Sequence, residues 1–135
     1  MTRVLKAQRF VEEGCIIMRK SSRRSFSTFD RRFRSHFGTT PSMCTIIWER
    51  LDPYHTIELE YRGVKVKHLL WALMFMKMYC AEHIHASLAG VDEKTFRKWS
   101  WIFIDAIAGL EYEVVRLIKK FYSYMQDMNN LHFFH

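Results

Sequence analysis

Glycine is scarce in this chain, proline scarcer still and cysteine unpaired, and each shortage removes a class of function. Five glycines in 135 residues make no Gly-rich phosphate loop. Cys15, Cys44 and Cys80 are odd in number, far apart and free of C-x-x-C spacing. That pattern argues against a disulfide framework or zinc ribbon and fits a reducing, intracellular compartment. The opening MTRVLKAQRFVEEG lacks an apolar segment before a small-residue cleavage site, so no secretory signal is expected. The longest apolar run, Leu69 to Met76, meets Lys77 well short of the ~20 residues of a spanning helix. It reads as the buried helix of a small core, with no membrane partner.

Catalytic and metal patterns are missing as well. Seven histidines occur without a nucleophile motif such as G-x-S-x-G. Cys80, His83 and His85 form the densest ligand-like cluster, yet they supply at most three donors where structural zinc wants four. Glu58/Glu60 and Glu111/Glu113 are paired in sequence, but two residues apart they diverge on either a strand or a helix. Two-metal chemistry needs carboxylates gathered from several elements, and no third partner stands out. The expectation is a non-enzyme without metal or cofactor.

What the chain does have is apolar mass and unevenly placed positive charge. It is 49% hydrophobic and 16% aromatic, enough for a real core in one domain's length. Residues 1–34 hold ten Lys/Arg against three acids, whereas residues 35–135 hold eleven of each. The whole +7 excess thus lies in the N-terminal quarter, including Arg23, Arg24, Arg31 and Arg32. Clustered cations suit phosphate contact, and equally a solvated basic tail or an import signal.

The periodicity is helical almost throughout. Residues 1–28 read as a basic N-terminal arm with a short helix from Thr2 to Glu13, ending before Gly14. Phe29, Phe33 and Phe37 make one helix stripe, stopped by Gly38. Thr40 and Pro41 look like a cap and first helical residue, opening a helix to Leu51 with Met43, Ile46, Ile47 and Leu51 inward. Asp52-Pro53 breaks the chain, and Tyr54 to Arg62 alternates like an edge strand or an ordered loop. Helices follow over Lys65 to Tyr79, Ala81 to Ala89 and Glu93 toward Leu110, and helical spacing continues to Met128. The final NNLHFFH is expected to fray. The domain reading is therefore arm 1–28, helical domain 29–110 and helical extension 111–135.

The segment Glu82 to Trp101, EHIHASLAGVDEKTFRKWSW, carries the function. It reads as a helix, a tight turn at Gly90 and a second helix, with Ala86, Phe96 and Trp99 placed to lock a helix-turn-helix. Asp92 is a natural N-cap. Phe96, Trp99, Phe103, Ile107 and Leu110 share an inner face, which leaves Lys94, Arg97, Lys98 and Trp101 outward. Such a helix, about 93–108, suits the DNA major groove, with Ser87 and Thr95 as candidate backbone contacts. The alternative is an amphipathic helix whose charges are merely solvated.

HLLWALMFMKMYCAEHIHASLAGVDEKTFRKW, with FRSHFGTTPSMCTIIWERL upstream, resembles the N-terminal DNA-binding region of Harbinger-type (PIF/Harbinger) DDE transposases. The resemblance spans about Asp30 to Leu110, and LAGVDEKTFRKW is its most specific part. It implies recognition of element DNA, with Lys94, Arg97 and Lys98 inheriting the contact. After Leu110 the chain departs from that family: VVRLIKKFYSYMQDMNNLHFFH is helical where a metal-holding catalytic sheet should begin. The sequence thus suggests an all-α, nuclear, non-catalytic binder of double-stranded DNA, truncated or repurposed from a transposase. Its rival is an interaction module without DNA contact, forming a homodimer or pairing with a transposase through residues 111–128, where apolar residues outrun the core available to cover them.

Overall fold

The computed structural model describes residues 3–19, 26–78 and 82–133. These residues are helical apart from connecting turns, with no strand among them. The helices are α1 (Arg3–Met18), α2 (Phe26–Phe37), α3 (Pro41–Leu51), α4 (Ile57–Glu60), α5 (Val66–Met78), α6 (Glu82–Ala89) and α7 (Glu93–Phe133). The protein is all-α.

Helix α5 is the hub. It is apolar almost all round, and such a helix needs cover on every side. Leu69, Leu70, Trp71, Ala72 and Met74 are fully buried because α7, α1, α2, α6 and α3 all pack on it. Trp48 of α3 joins the layers, edge-on to Phe10 of α1 at 6.2 Å and stacked on Phe103 of α7 at 5.8 Å. Among the described residues, no helix is long and apolar enough to cross a membrane.

Local signals mark several boundaries where expected. Gly38 ends α2 with φ +78°, its amide donating to Arg34 O at 2.8 Å. The Thr40 hydroxyl accepts from Met43 N at 3.2 Å, and Pro41 occupies the first turn of α3. Asp52 closes that helix in the left-handed region, donating to Trp48 O at 2.9 Å.

Elsewhere the packing overrides the local pattern. Helix α1 runs straight through Gly14 to Met18, and Phe10, Ile17 and Met18 join the core. Residues 3–18 of the expected arm are therefore built into the body. Gly14 is there because the Phe33 ring lies against it: a Cβ at that position would sit 2.6 Å from the ring edge. Helix α3 buries Cys44, Thr45, Trp48 and Leu51, while Met43 and Ile46 face outward. The inner face is set by Trp48 reaching between α1 and α7, not by the more aliphatic side. The uncertain 54–62 segment is neither strand nor plain loop but the single turn α4. Its Glu58 carboxylate accepts from Gly63 N and Val64 N at 3.0 and 2.8 Å, fastening the turn that leads into α5. Finally, α7 is continuous to Phe133, so residues 129–133, expected to fray, extend it.

Candidate nucleic-acid interface

The junction between α6 and α7 is built from short-range bonds. Gly90, at φ +76°, donates to Ser87 O at 3.2 Å, and Val91 donates to Ala86 O at 3.0 Å. This pair of bonds closes a helix around a left-handed glycine. Asp92 then caps α7, accepting from Thr95 N at 3.2 Å and from the Thr95 hydroxyl at 2.6 Å. Those bonds hold the Asp92 carboxyl below its ordinary pKa. The acid that opens α7 is thus occupied in capping, and so is the hydroxyl proton of Thr95.

The start of α7 is anchored by aromatic packing. Phe96 and Phe103 are fully buried and Trp99 nearly so. Phe96 stacks on His85 of α6 with centroids 5.7 Å apart, and meets Trp71 of α5 at 5.8 Å. Ala86, also buried, keeps α6 close. On the opposite side Lys94, Arg97 and Lys98 are exposed. Trp101 is 46% exposed, one edge against Phe75 at 6.0 Å. Arg97 lies 4.0 Å from Glu93. Ser87 is exposed on α6.

A second group of cations meets the first. His68, in the first turn of α5, stacks on Trp99 with centroids 4.0 Å apart and planes within 6°. Its imidazole is driven down to a pKa of about 3 by burial first, then by Lys67, Lys65 and Lys98. All three lysines therefore lie near enough to His68 to disfavour its charged form. Lys98 Nζ sits 4.9 Å from the Trp99 ring centroid, and Lys67 Nζ 5.6 Å from that of Trp71. The neutral His68 Nδ1 accepts from Lys65 N at 3.0 Å, which caps α5.

Lys65 and Lys67 are further candidates that the sequence pattern alone does not single out. A signal was present: cations at a helix start oppose the helix dipole, and the first turn of α5 holds no acid. For Lys67 the Trp71 ring offsets part of that cost; exposed Lys65 has no such contact described. The α2 cations are different. Arg34 pairs with Asp30 at 3.1 Å near the helix C-terminus, where positive charge is favourable. Arg31 is exposed, whereas Arg32 is half-buried, its Nη1 lacking a hydrogen-bond partner among the described residues. Helix α2 packs on α5, and no bond or ring contact described joins Arg31 or Arg32 to α7. Arg23 and Arg24 lie outside the described residues. So Lys94, Thr95, Arg97, Lys98, Trp101 and Ser87 belong to one unit, joined by Lys65 and Lys67.

Other chemistry has less to work with. Cys80 lies outside the described residues, and His85 is buried between Phe75 and Phe96. Among the described residues no three His, Cys, Asp or Glu side chains are grouped to hold a metal ion. A cleft of roughly 550 Å³ between α3, α4 and α7 is lined by Arg50, Glu60, Tyr61 and Asp105 with apolar neighbours, and by neither histidine nor cysteine. Cys44 is buried, and burial pushes its thiol up to about 12, far from a reactive thiolate.

Comparison of the chain with protein-family models, curated proteins and solved structures returns no match.

Proposed function

We propose that this protein is a non-catalytic, nuclear binder of double-stranded DNA whose α6–turn–α7 unit presents the start of α7 to the major groove. The observation that carries the reading is the exposed row Lys94, Arg97 and Lys98 held opposite buried Phe96, Trp99 and Phe103, with Lys65 and Lys67 at the start of α5 beside the His68–Trp99 stack. Lys94, Arg97 and Lys98 address base edges and phosphates at the groove, while Lys65 and Lys67 hold an adjacent phosphate run. The buried aromatics keep the presenting helix rigid, so that little order has to be gained on binding. The likeness of LAGVDEKTFRKW to Harbinger-type transposases adds element DNA as the target class and descent from such a transposase as the origin.

Binding to duplex DNA across a salt series tests this. Affinity should fall steeply with salt, and Arg97→Ala/Lys98→Ala should weaken binding and flatten the salt response by about two phosphate contacts. Equal binding by wild type and double variant would remove the reading-helix assignment. One observation favours the second reading, a protein-interaction module acting on a transposase without touching DNA. Beyond Leu110, α7 exposes Ile118, Phe121, Tyr122 and Tyr124, each more than half accessible. A chain that shows no salt-dependent DNA affinity at all would turn the balance to that reading.

A further inference from the structure

We propose that the second half of α7, residues 111–133, is the interface of an antiparallel homodimer. Helix α7 has 41 residues, a length of about 60 Å at the α-helical rise. Among the described residues, the core contacts of α7 end at Leu110. Past Leu110 every side chain whose surroundings are described is exposed.

This exposed half is strongly two-sided. Ile118, Phe121, Met125 and Met128 recur at alternating spacings of three and four, the spacing of a coiled-coil seam. They continue the face that carries Phe96 and Phe103 into the core. The opposite face is polar, through Arg116, Lys119, Ser123, Gln126, Asp127 and Asn130. A helical stretch of this length has little stability in water without a partner for its apolar face.

Charge, area and shape select a second copy of the same chain as that partner. Residues 111–133 hold three acids and three Lys/Arg, a neutral segment in a chain of net charge +7. The segment therefore has no single-sign field to attract an acidic or basic partner, and none to repel its twin. The exposed parts of Ile118, Phe121, Tyr122, Tyr124, Met125 and Met128 come to on the order of 600 Å² per copy, close to what a specific interface buries per partner. Parallel pairing would bring both domain bodies, which sit on this same face of α7, to the same end and into collision. Antiparallel pairing sends the bodies to opposite ends. With the two-fold axis near residue 123, Phe121 packs on Met125 of the second copy and Ile118 on its Met128, and the reverse contacts follow by symmetry.

Sedimentation of the full chain at about 50 µM tests the association. The expected species has the mass of two chains. Phe121→Glu/Met125→Glu places charge in both central layers and should raise the dimer dissociation constant at least about 100-fold while cooperative unfolding of the domain body is retained. Ser123→Glu on the polar face should leave the dimer intact. Ile118→Cys/Met128→Cys should cross-link copies under oxidation, whereas Ile118→Cys alone should not. A wild-type monomer at this concentration would leave the face to another protein and overturn the proposal. So would a dimer indifferent to the Phe121/Met125 charges. Self-linking at position 118 would overturn the antiparallel arrangement.

Discussion

His68 and Trp99 lie face to face, 4.0 Å between ring centroids and 6° from parallel, with the Lys98 ammonium 4.9 Å from the Trp99 centroid. The stack joins the start of α5 to the start of α7, and it holds a neutral imidazole within a positively charged surface.

That neutrality has a pH signature. In the unfolded chain a histidine takes up a proton near pH 6.5, whereas folded His68 resists to about 3. The unfolded state therefore binds more protons in this window, and stability falls as pH drops below 6.5. Buried His85, also lowered, acts in the same sense. Exposed His55, raised by its bond to Asp52, acts weakly in the opposite one. Thermal unfolding between pH 7 and 5, above the range where carboxylates titrate, should lower Tm by roughly 5–10 °C. In His68→Phe the slope should shrink. An unchanged slope would mean that His68 is not held neutral.

Lys65 and Lys67 should separate function from stability. Lys65→Ala/Lys67→Ala removes charge from the wrong end of α5. It should leave unfolding free energy within about 1 kcal/mol of wild type, relief at the helix start offsetting the lost Lys67–Trp71 contact. DNA affinity should fall in the same variant, with a shallower salt dependence. Equal losses in both measurements would mark these lysines as structural.

The Asp92 cap should stabilise the start of α7, so Asp92→Ala should lower the midpoint of denaturant titration. Its carboxyl is held low by Thr95, so this contribution is present at neutral pH and lost as acid protonates the group. Asp92→Asn should recover most of it, since an amide oxygen can still accept from Thr95 N.

Gly14→Ala should destabilise by about 1–3 kcal/mol despite alanine's better helix propensity, because the added carbon meets the buried Phe33 ring. The paired change Gly14→Ala/Phe33→Leu should recover part of the loss. A stabilised single variant would mean that the α1–α2 approach is looser than described.

Residues 3–18 are not a detachable arm. Deleting residues 1–18 removes Phe10, Ile17 and Met18 from the core, and cooperative unfolding should be lost rather than DNA affinity alone. A well-folded deletion variant would show that α1 is dispensable.

The features legible in the sequence are those governed by near neighbours along the chain. Gly38, the Thr40-Pro41 start and the Gly90–Asp92 junction were readable because their bonds close within a few residues. The inner stripe of α7, with Phe96, Trp99 and Phe103 opposite Lys94, Arg97 and Lys98, was readable because helical periodicity is itself local. Tertiary structure alone decided what meets what. A glycine that looked like a helix stop became the seat of the Phe33 ring. The aliphatic side of α3 lost the core to the side bearing Trp48. The His68–Trp99 stack, beside which Lys65 and Lys67 lie, exists only because α5 packs on the start of α7. Buried area and charge proximity depend on residues distant in sequence, and no pattern along one strand of text encodes which of them will be near.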